Sequence, residues 1–329
     1  MATDTDPEPD PLMAGQEAVL EVAAGVIQDT ASRVLIARRA DHRHQGGMWE
    51  FPGGKLDCGE SPRVALAREL GEELGIAVVA ADPLITLRHD YPDRRVRLHV
   101  WRVTAFSGMP RGLEGQPIRW VKPDELPAYR FPAANRPIVT AARLPDRYAI
   151  LAPVKPDPGW LERQLASLCL RGIRLVRLRA AHLSLAEYLA LGRHVAEYCA
   201  KAGIALLVEA RAAALLEAGA GGIHLRTDEL MALVSRPDVS RSGWLGVSCH
   251  DAAQLAQAHR VAADFAVLGP VGNTATHPQA TPLGWSAFSQ LVDAACLPVY
   301  ALGGLRESDM ALAKASGAQG LAAIRAFLA

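Results

Sequence analysis

The stretch GKLDCGESPRVALARELGEELGI, residues 54–76, decides how the first half of this chain is read. It follows directly on Gly53, and a Gly-Gly pair lets backbone approach a ligand closely before the chain enters a helix. Ser61-Pro62 is a helix start, with the serine as cap and the proline in the first turn, where its missing N–H costs nothing. Val64, Leu66, Leu70 and Leu74 recur at helical spacing, and Gly75 supplies the stop. On that helix Glu69, Glu72 and Glu73 stand at i, i+3 and i+4, so they share a face. Three carboxylates so placed repel one another. A divalent cation bridging them to phosphate oxygens would relieve the repulsion, and Mg2+ favours such hard ligands. A solvated acidic face is the plain alternative. Arg68, beside the first glutamate, favours the metal reading, because a guanidinium can hold neighbouring carboxylates in place.

Outward from this helix, residues 18–27 read as a buried strand and 33–37 as its hairpin partner across Asp29-Thr30. A polar, glycine-containing loop over 40–47 leads into WEFPGGK at 49–55. Strands are expected over 84–89, 95–106 and 118–121, then a helix over 132–142. The result is an α+β unit with a mixed sheet and flanking helices, spanning residues 17–145. Residues 1–16, acidic and proline-rich, read as a disordered tail. From 146 to 329 the texture changes to short apolar runs alternating with Ala- and Leu-rich helical stretches. The runs lie at 148–151, 173–179, 204–210, 221–225, 244–250, 265–269, 298–304 and 320–324. Eight strands with intervening helices predict an α/β (β/α)8 TIM barrel. Two domains suit 329 residues.

Lys plus Arg (35) equal Asp plus Glu (35), which argues against stable nucleic-acid binding or adhesion to a membrane surface. The five cysteines form no C-x-x-C pair and suit neither a disulfide framework nor zinc. No signal peptide and no membrane-length apolar run is apparent, so a cytoplasmic protein is expected.

The segment 54–76 resembles the Nudix box at every specified position. That resemblance implies a pyrophosphohydrolase using Mg2+, with Mn2+ as its substitute. Glu69 and Glu73 would be the principal metal ligands, Glu72 would assist, and the Gly53 or Gly54 carbonyl would contribute. Outside the box, residues 19–144 resemble the MutT branch of that family, whose activity is hydrolysis of 8-oxo-dGTP to 8-oxo-dGMP and diphosphate, which prevents mutagenic incorporation. The carriers are Arg38-Arg39-Ala40, residues 49–55, residues 91–94, Glu114-Gly115-Gln116-Pro117, Trp120 and residues 131–135. By this resemblance Asn135 would read the purine edge, its amide offering both donor and acceptor. Arg39 and His44 would meet the phosphate or sugar side, and Glu50, Phe51, Pro52 and Gly53 would line the pocket. Glu114 would be a further metal ligand or the general base, a role left open between it and Glu69. Asn135 as a helix cap and Arg39 as a solvated strand-end charge are the plain alternatives.

The second half resembles thiamine phosphate synthase and its TenI relatives. The carriers are residues 175–179, 221–225, 246–250, 268–278 and 301–304. Arg179, Ser248, Thr274, Thr276, Gly303 and Gly304 are its candidate phosphate-binding residues, since strand-end loops rich in Gly, Ser and Thr bind phosphate in such barrels. Several positions depart from the synthase pattern. Arg177 stands for a glutamine, Ala181 for a lysine, Glu209-Ala210 for an Asn-Asp pair, and His277 for a second lysine. These losses imply a barrel without synthase activity. A hydrolase of thiamine-type or other nucleotide diphosphates, linked to thiamine metabolism, is the competing expectation, and a barrel that serves only as an interaction module is a third.

Overall fold

The computed structural model describes residues 19–41, 45–91, 94–239, 243–274 and 279–328. β1 (Leu20–Ile27) runs between β4 (Gly53–Lys55), antiparallel, and β6 (Arg94–Ser107), parallel. β5 (Ala77–Tyr91) completes this four-stranded mixed sheet, antiparallel to β6. A second, three-stranded antiparallel sheet has the order β3 (Trp49–Glu50), β2 (Val34–Arg38), β7 (Ile118–Val121). Side chains alternate along β1. Ala23 and Ile27 pack with the apolar side of α1 (Pro62–Leu74), while Ala24 and Val26 pack with α2 (Arg136–Arg143). The two helices therefore cover opposite faces of the β layer.

Two strand expectations need correction. β2 is not the hairpin partner of β1. Both edges of β1 are taken by β4 and β6, and only a single bridge, Gln28 to Val34, joins the two segments. The intervening turn is real: the Asp29 carboxylate accepts from the Ala31 and Arg33 amides (3.0 and 2.8 Å), and the chain then leaves for the second sheet. β5 begins at Ala77 rather than 84, because Pro83 falls beside a register shift, where a residue without N–H is tolerated. The helix expected over 132–142 starts as a 3-10 turn, Ala133–Asn135, before α2.

The second half closes into an eight-stranded parallel barrel. Its strands are β8 (Arg147–Leu151), β9 (Leu175–Leu178), β10 (Ala205–Glu209), β11 (Gly222–Leu225), β12 (Trp244–Cys249), β13 (Phe265–Leu268), β14 (Val299–Leu302) and β15 (Gly320–Ala323). Tyr148, Ile150, Leu175, Leu207, Phe265, Val267 and Tyr300 fill the interior. The outer core includes residues of α3 (Pro158–Leu170) and α4 (Leu185–Ala202) packed on the strands.

The first half docks on the N-terminal ends of the barrel strands. Asp293 pairs with Arg88 and Arg97, and the Tyr300 hydroxyl donates to the Pro145 carbonyl at 2.5 Å. Gln319 Nε2 donates to the carbonyls of Ala141 (3.1 Å) and Leu144 (3.0 Å) at the end of α2. The C-terminal strand ends, where such barrels carry their sites, face the other way. Among the described residues, no helix is long and apolar enough to cross a membrane.

Candidate active site

α1 is held at both ends as its sequence requires. Ser61 Oγ accepts from the Val64 amide (3.4 Å), Pro62 opens the helix, and Gly75 at φ 69° closes it with its N–H on Gly71 O (3.0 Å). Ala65, Leu66, Leu70 and Leu74 are buried, which turns the glutamates toward β4. There the Gly-Gly pair is a steric requirement. A Cβ on Gly53 would stand 2.1 Å from the Ala23 carbonyl oxygen, and one on Gly54 would stand 2.2 Å from Cδ of Glu69. The absent side chain of Gly54 is the notch in which the Glu69 carboxylate sits.

The glutamates are not equivalent. Arg68 holds Glu69 (2.9 Å) and is itself held by Glu60 (2.9 Å) and the Lys55 carbonyl (3.0 Å). The Arg68 hydrogen bond draws the Glu60 carboxyl below its usual range. Glu73 accepts from the Gly53 amide (3.1 Å), yet burial, and then the charges of Glu50, Glu114 and Glu69, push its carboxyl up to about 7. Glu50, Glu114 and Glu69 thus lie near enough to Glu73 for their charges to act on it. Glu72 remains on the rim, largely exposed, 3.4 Å from Arg68. Among the described residues, no three His, Cys, Asp or Glu side chains form a ready-made cation cage. A crowd of hard oxygen donors whose buried member resists ionising in the absence of a cation fits a divalent metal.

The segment 111–116 reaches the same helix end. Leu113 N (2.9 Å) and Gln116 Nε2 (3.1 Å) donate to the Glu73 carbonyl, while Gln116 Oε1 accepts from the Glu114 amide (2.9 Å). Gln116 therefore ties Glu114 to the helix carrying Glu69 and Glu73. Nothing in its periodicity marks that role, because its partner lies far away in sequence.

Arg39 pairs with Glu50 at 2.5 Å across β2 and β3. Phe51 is buried and stacks on Phe131 (centroids 5.3 Å apart), and the Pro52 carbonyl accepts from Gly25 N (2.8 Å). Asn135 is half-buried at the N-cap of α2, but its side chain makes no cap hydrogen bond, which leaves its amide available. His44 and Thr276 lie outside the described residues.

At the C-terminal end of the barrel, a cavity of about 200 Å3 is lined by Arg177, Arg179, Arg226, Ser248, Thr274 and Gly303, among others. A neighbouring depression of about 600 Å3 is bordered by Thr274, Gly303, Gly304 and Arg306. Gly303 (φ 106°) and Gly304 (φ 68°) make a turn that side chains would obstruct: a Cβ on Gly304 would meet the Asn273 carbonyl at 2.2 Å. Five of the six barrel candidates therefore gather at one end. Glu209 is already engaged, accepting from the Ala180 amide and Arg211 Nε, both at 2.8 Å.

Comparison with known proteins agrees with this division. The NUDIX domain family matches residues 23–141, and the thiamine monophosphate synthase family matches residues 148–327. The 8-oxo-dGTP diphosphatase of Escherichia coli is 40% identical over 120 residues, 36% of this chain and 93% of that protein. The CTP pyrophosphohydrolase of the same organism is 36% identical over 123 residues, 37% of this chain and 90% of that one. An Aquifex aeolicus protein provisionally named a thiamine-phosphate synthase is 31% identical over 185 residues, 56% of this chain and 98% of its own. The chain is a Nudix pyrophosphohydrolase of the MutT kind in its N-terminal half and a member of the thiamine monophosphate synthase family in its C-terminal half.

Proposed function

We propose that the N-terminal site hydrolyses 8-oxo-dGTP to 8-oxo-dGMP and diphosphate with Mg2+ as its ion. The observation that carries this reading is the placement of Glu69 in the Gly54 notch and of Glu73 on the Gly53 amide, both against the same Gly-Gly turn, with the charges of Glu50 and Glu114 acting on Glu73. Glu69 and Glu73, with the Gly53 carbonyl, would hold the ion, and Glu72 would assist from the rim. When bound, the ion neutralises charge on the phosphate oxygens and makes diphosphate a better leaving group. The water oxygen bonds to phosphorus as the α–β bridging P–O bond breaks, and the water proton passes to Glu69 or Glu114. Arg68 and Glu60 keep Glu69 in place throughout.

Asn135, with its amide uncommitted to the cap, reads the oxidised purine over a wall that includes Phe51 and Pro52. Arg39, anchored by Glu50, would meet the phosphate or sugar side, the role the resemblance also gives His44. Residues 17–145 constitute this unit and 146–329 the barrel, whose Glu209 is occupied and whose lysines at 181 and 277 are missing. That pattern favours a barrel that binds without synthesising thiamine phosphate.

The likeness to a CTP pyrophosphohydrolase supports a second reading, in which a pyrimidine nucleotide is preferred. Steady-state assays in parallel with 8-oxo-dGTP, dGTP, CTP and thiamine diphosphate separate the readings. The proposal requires kcat/KM for 8-oxo-dGTP to exceed the other three by at least about 100-fold, since hydrogen-bond readout of one polar group discriminates on that scale or better. A value no better than for dGTP rejects it.

A further inference from the structure

A third cavity, of about 680 Å3, lies in the seam between the two halves. One wall is the face of α2 that carries Arg136 and Thr140, four residues apart, beside Leu87 and Arg88 of β5. The other wall is barrel: Arg236, His259 and the loops that enter β13 and β14. Neither the box glutamates nor Asn135 line it, and it shares no residue with the two depressions at the barrel mouth.

The charged groups of this cavity are mostly basic. Arg236 is paired with Asp264 (2.7 Å) and braced by the Ala262 carbonyl. Arg88 shares the single carboxylate of Asp293 with Arg97. Arg136 is exposed, and its side chain makes no hydrogen bond or ion pair with any described residue. Four guanidinium charges thus meet two carboxylates among these residues, an excess of two positive charges. A cleft dominated by one sign of charge concentrates ions of the other. Between the charges the lining is apolar, with Leu87, Leu297 and Pro298 all buried.

We propose that the seam cavity binds a small organic phosphate, whose head balances the two surplus charges and whose apolar body lies along Leu87 and Leu297. A phosphate monoester carries nearly two negative charges at neutral pH, and guanidinium groups match its oxygens in geometry as well as charge. Crevices between domains, apolar with a few convergent polar groups, are the usual form of a small-molecule site, and the volume is ample for one. Because its walls come from both halves, the ligand is held by side chains of both: Arg136 from α2, and His259 as a hydrogen-bond donor from the barrel.

The test uses the full-length chain in Mg2+, titrated by calorimetry with phenyl phosphate, inorganic phosphate and phenol. Phenyl phosphate is expected to bind at least about tenfold more tightly than either of the others, since one lacks the apolar body and the other the charge. Arg136→Glu and His259→Glu replace exposed side chains on opposite walls. Each should weaken phenyl phosphate by about tenfold or more, because only a ligand in the seam meets both residues. Arg136→Ala and His259→Ala, without the reversed charge, should each weaken it by a smaller factor, and they carry the same comparison if a glutamate variant fails to fold. Absent phenyl phosphate binding, equal binding of inorganic phosphate or phenol, or a loss confined to the variants of one half would each overturn the proposal.

Discussion

Gly54 and Glu73 show how closely the carboxylate site depends on single atoms. Adding one methyl group at Gly54 puts carbon 2.2 Å from the Glu69 carboxyl carbon, so Glu69 must leave its seat. Gly54→Ala is expected to lower kcat by about 100-fold or more, the usual consequence of a misplacement near 1 Å, with the melting temperature little changed. Turnover beside a thermal melt checks both halves of that expectation. Glu73 adds a dependence on pH. Its carboxyl rises from 4.5 to about 7 on folding, so the metal-free folded protein binds that proton more tightly than the unfolded chain. Stability of the metal-free protein should therefore be greatest below about pH 4.5 for this group and decline as pH climbs through 7. The loss is about 3 kcal/mol, at roughly 1.4 kcal/mol for each pH step of displacement. Melting after chelation at pH 5 and pH 8, for the parent and Glu73→Gln, reads this directly. The variant should lose this part of the slope.

α2 is the element shared by the two halves. It starts at Asn135, and its last carbonyls, Ala141 and Leu144, receive the buried amide of Gln319 from the barrel and Arg102 Nη2 from β6 (3.3 and 3.4 Å). Gln319→Ala removes one of two donors from each carbonyl. It should destabilise the chain by about 1–2 kcal/mol, measured by denaturant unfolding, with Arg102 preventing a larger loss. The elements also show what sequence pattern can and cannot report. All eight barrel strands are legible because strands buried on both faces read as short apolar runs, and α1 is legible through its caps and spacing. The partner of β1 is not, since adjacency in sequence argued for β2 while β4 and β6 fill its edges. Neither is the length of β5, where Pro83 looks like a terminator but sits at an irregularity. At the site, spacing alone put Glu69, Glu72 and Glu73 on one helix face, while their roles came from the resemblance. The ties from Gln116 and Glu60 could not be read from spacing, because each depends on a hydrogen bond across the fold.

The molecule places its two candidate sites apart. The Nudix half covers the N-terminal strand ends of the barrel through Asp293, Tyr300, Gln319 and the Arg143 guanidinium over the Trp244 ring (4.5 Å). The barrel mouth, with Arg177 and the Gly303-Gly304 turn, opens at the opposite end. Each site is therefore built from residues of its own half, and the seam joins structural supports rather than reacting groups. On this account, hydrolysis depends on the glutamate cluster of α1 whatever occupies the barrel. The most direct measurement is release of diphosphate from 8-oxo-dGTP by the full-length chain in Mg2+, for the parent and Glu73→Gln. The account predicts at least a 1,000-fold fall in kcat/KM, equivalent to about 4 kcal/mol of lost transition-state stabilisation, with melting temperature preserved or raised. A Glu73→Gln chain that retains turnover within tenfold of the parent would contradict it.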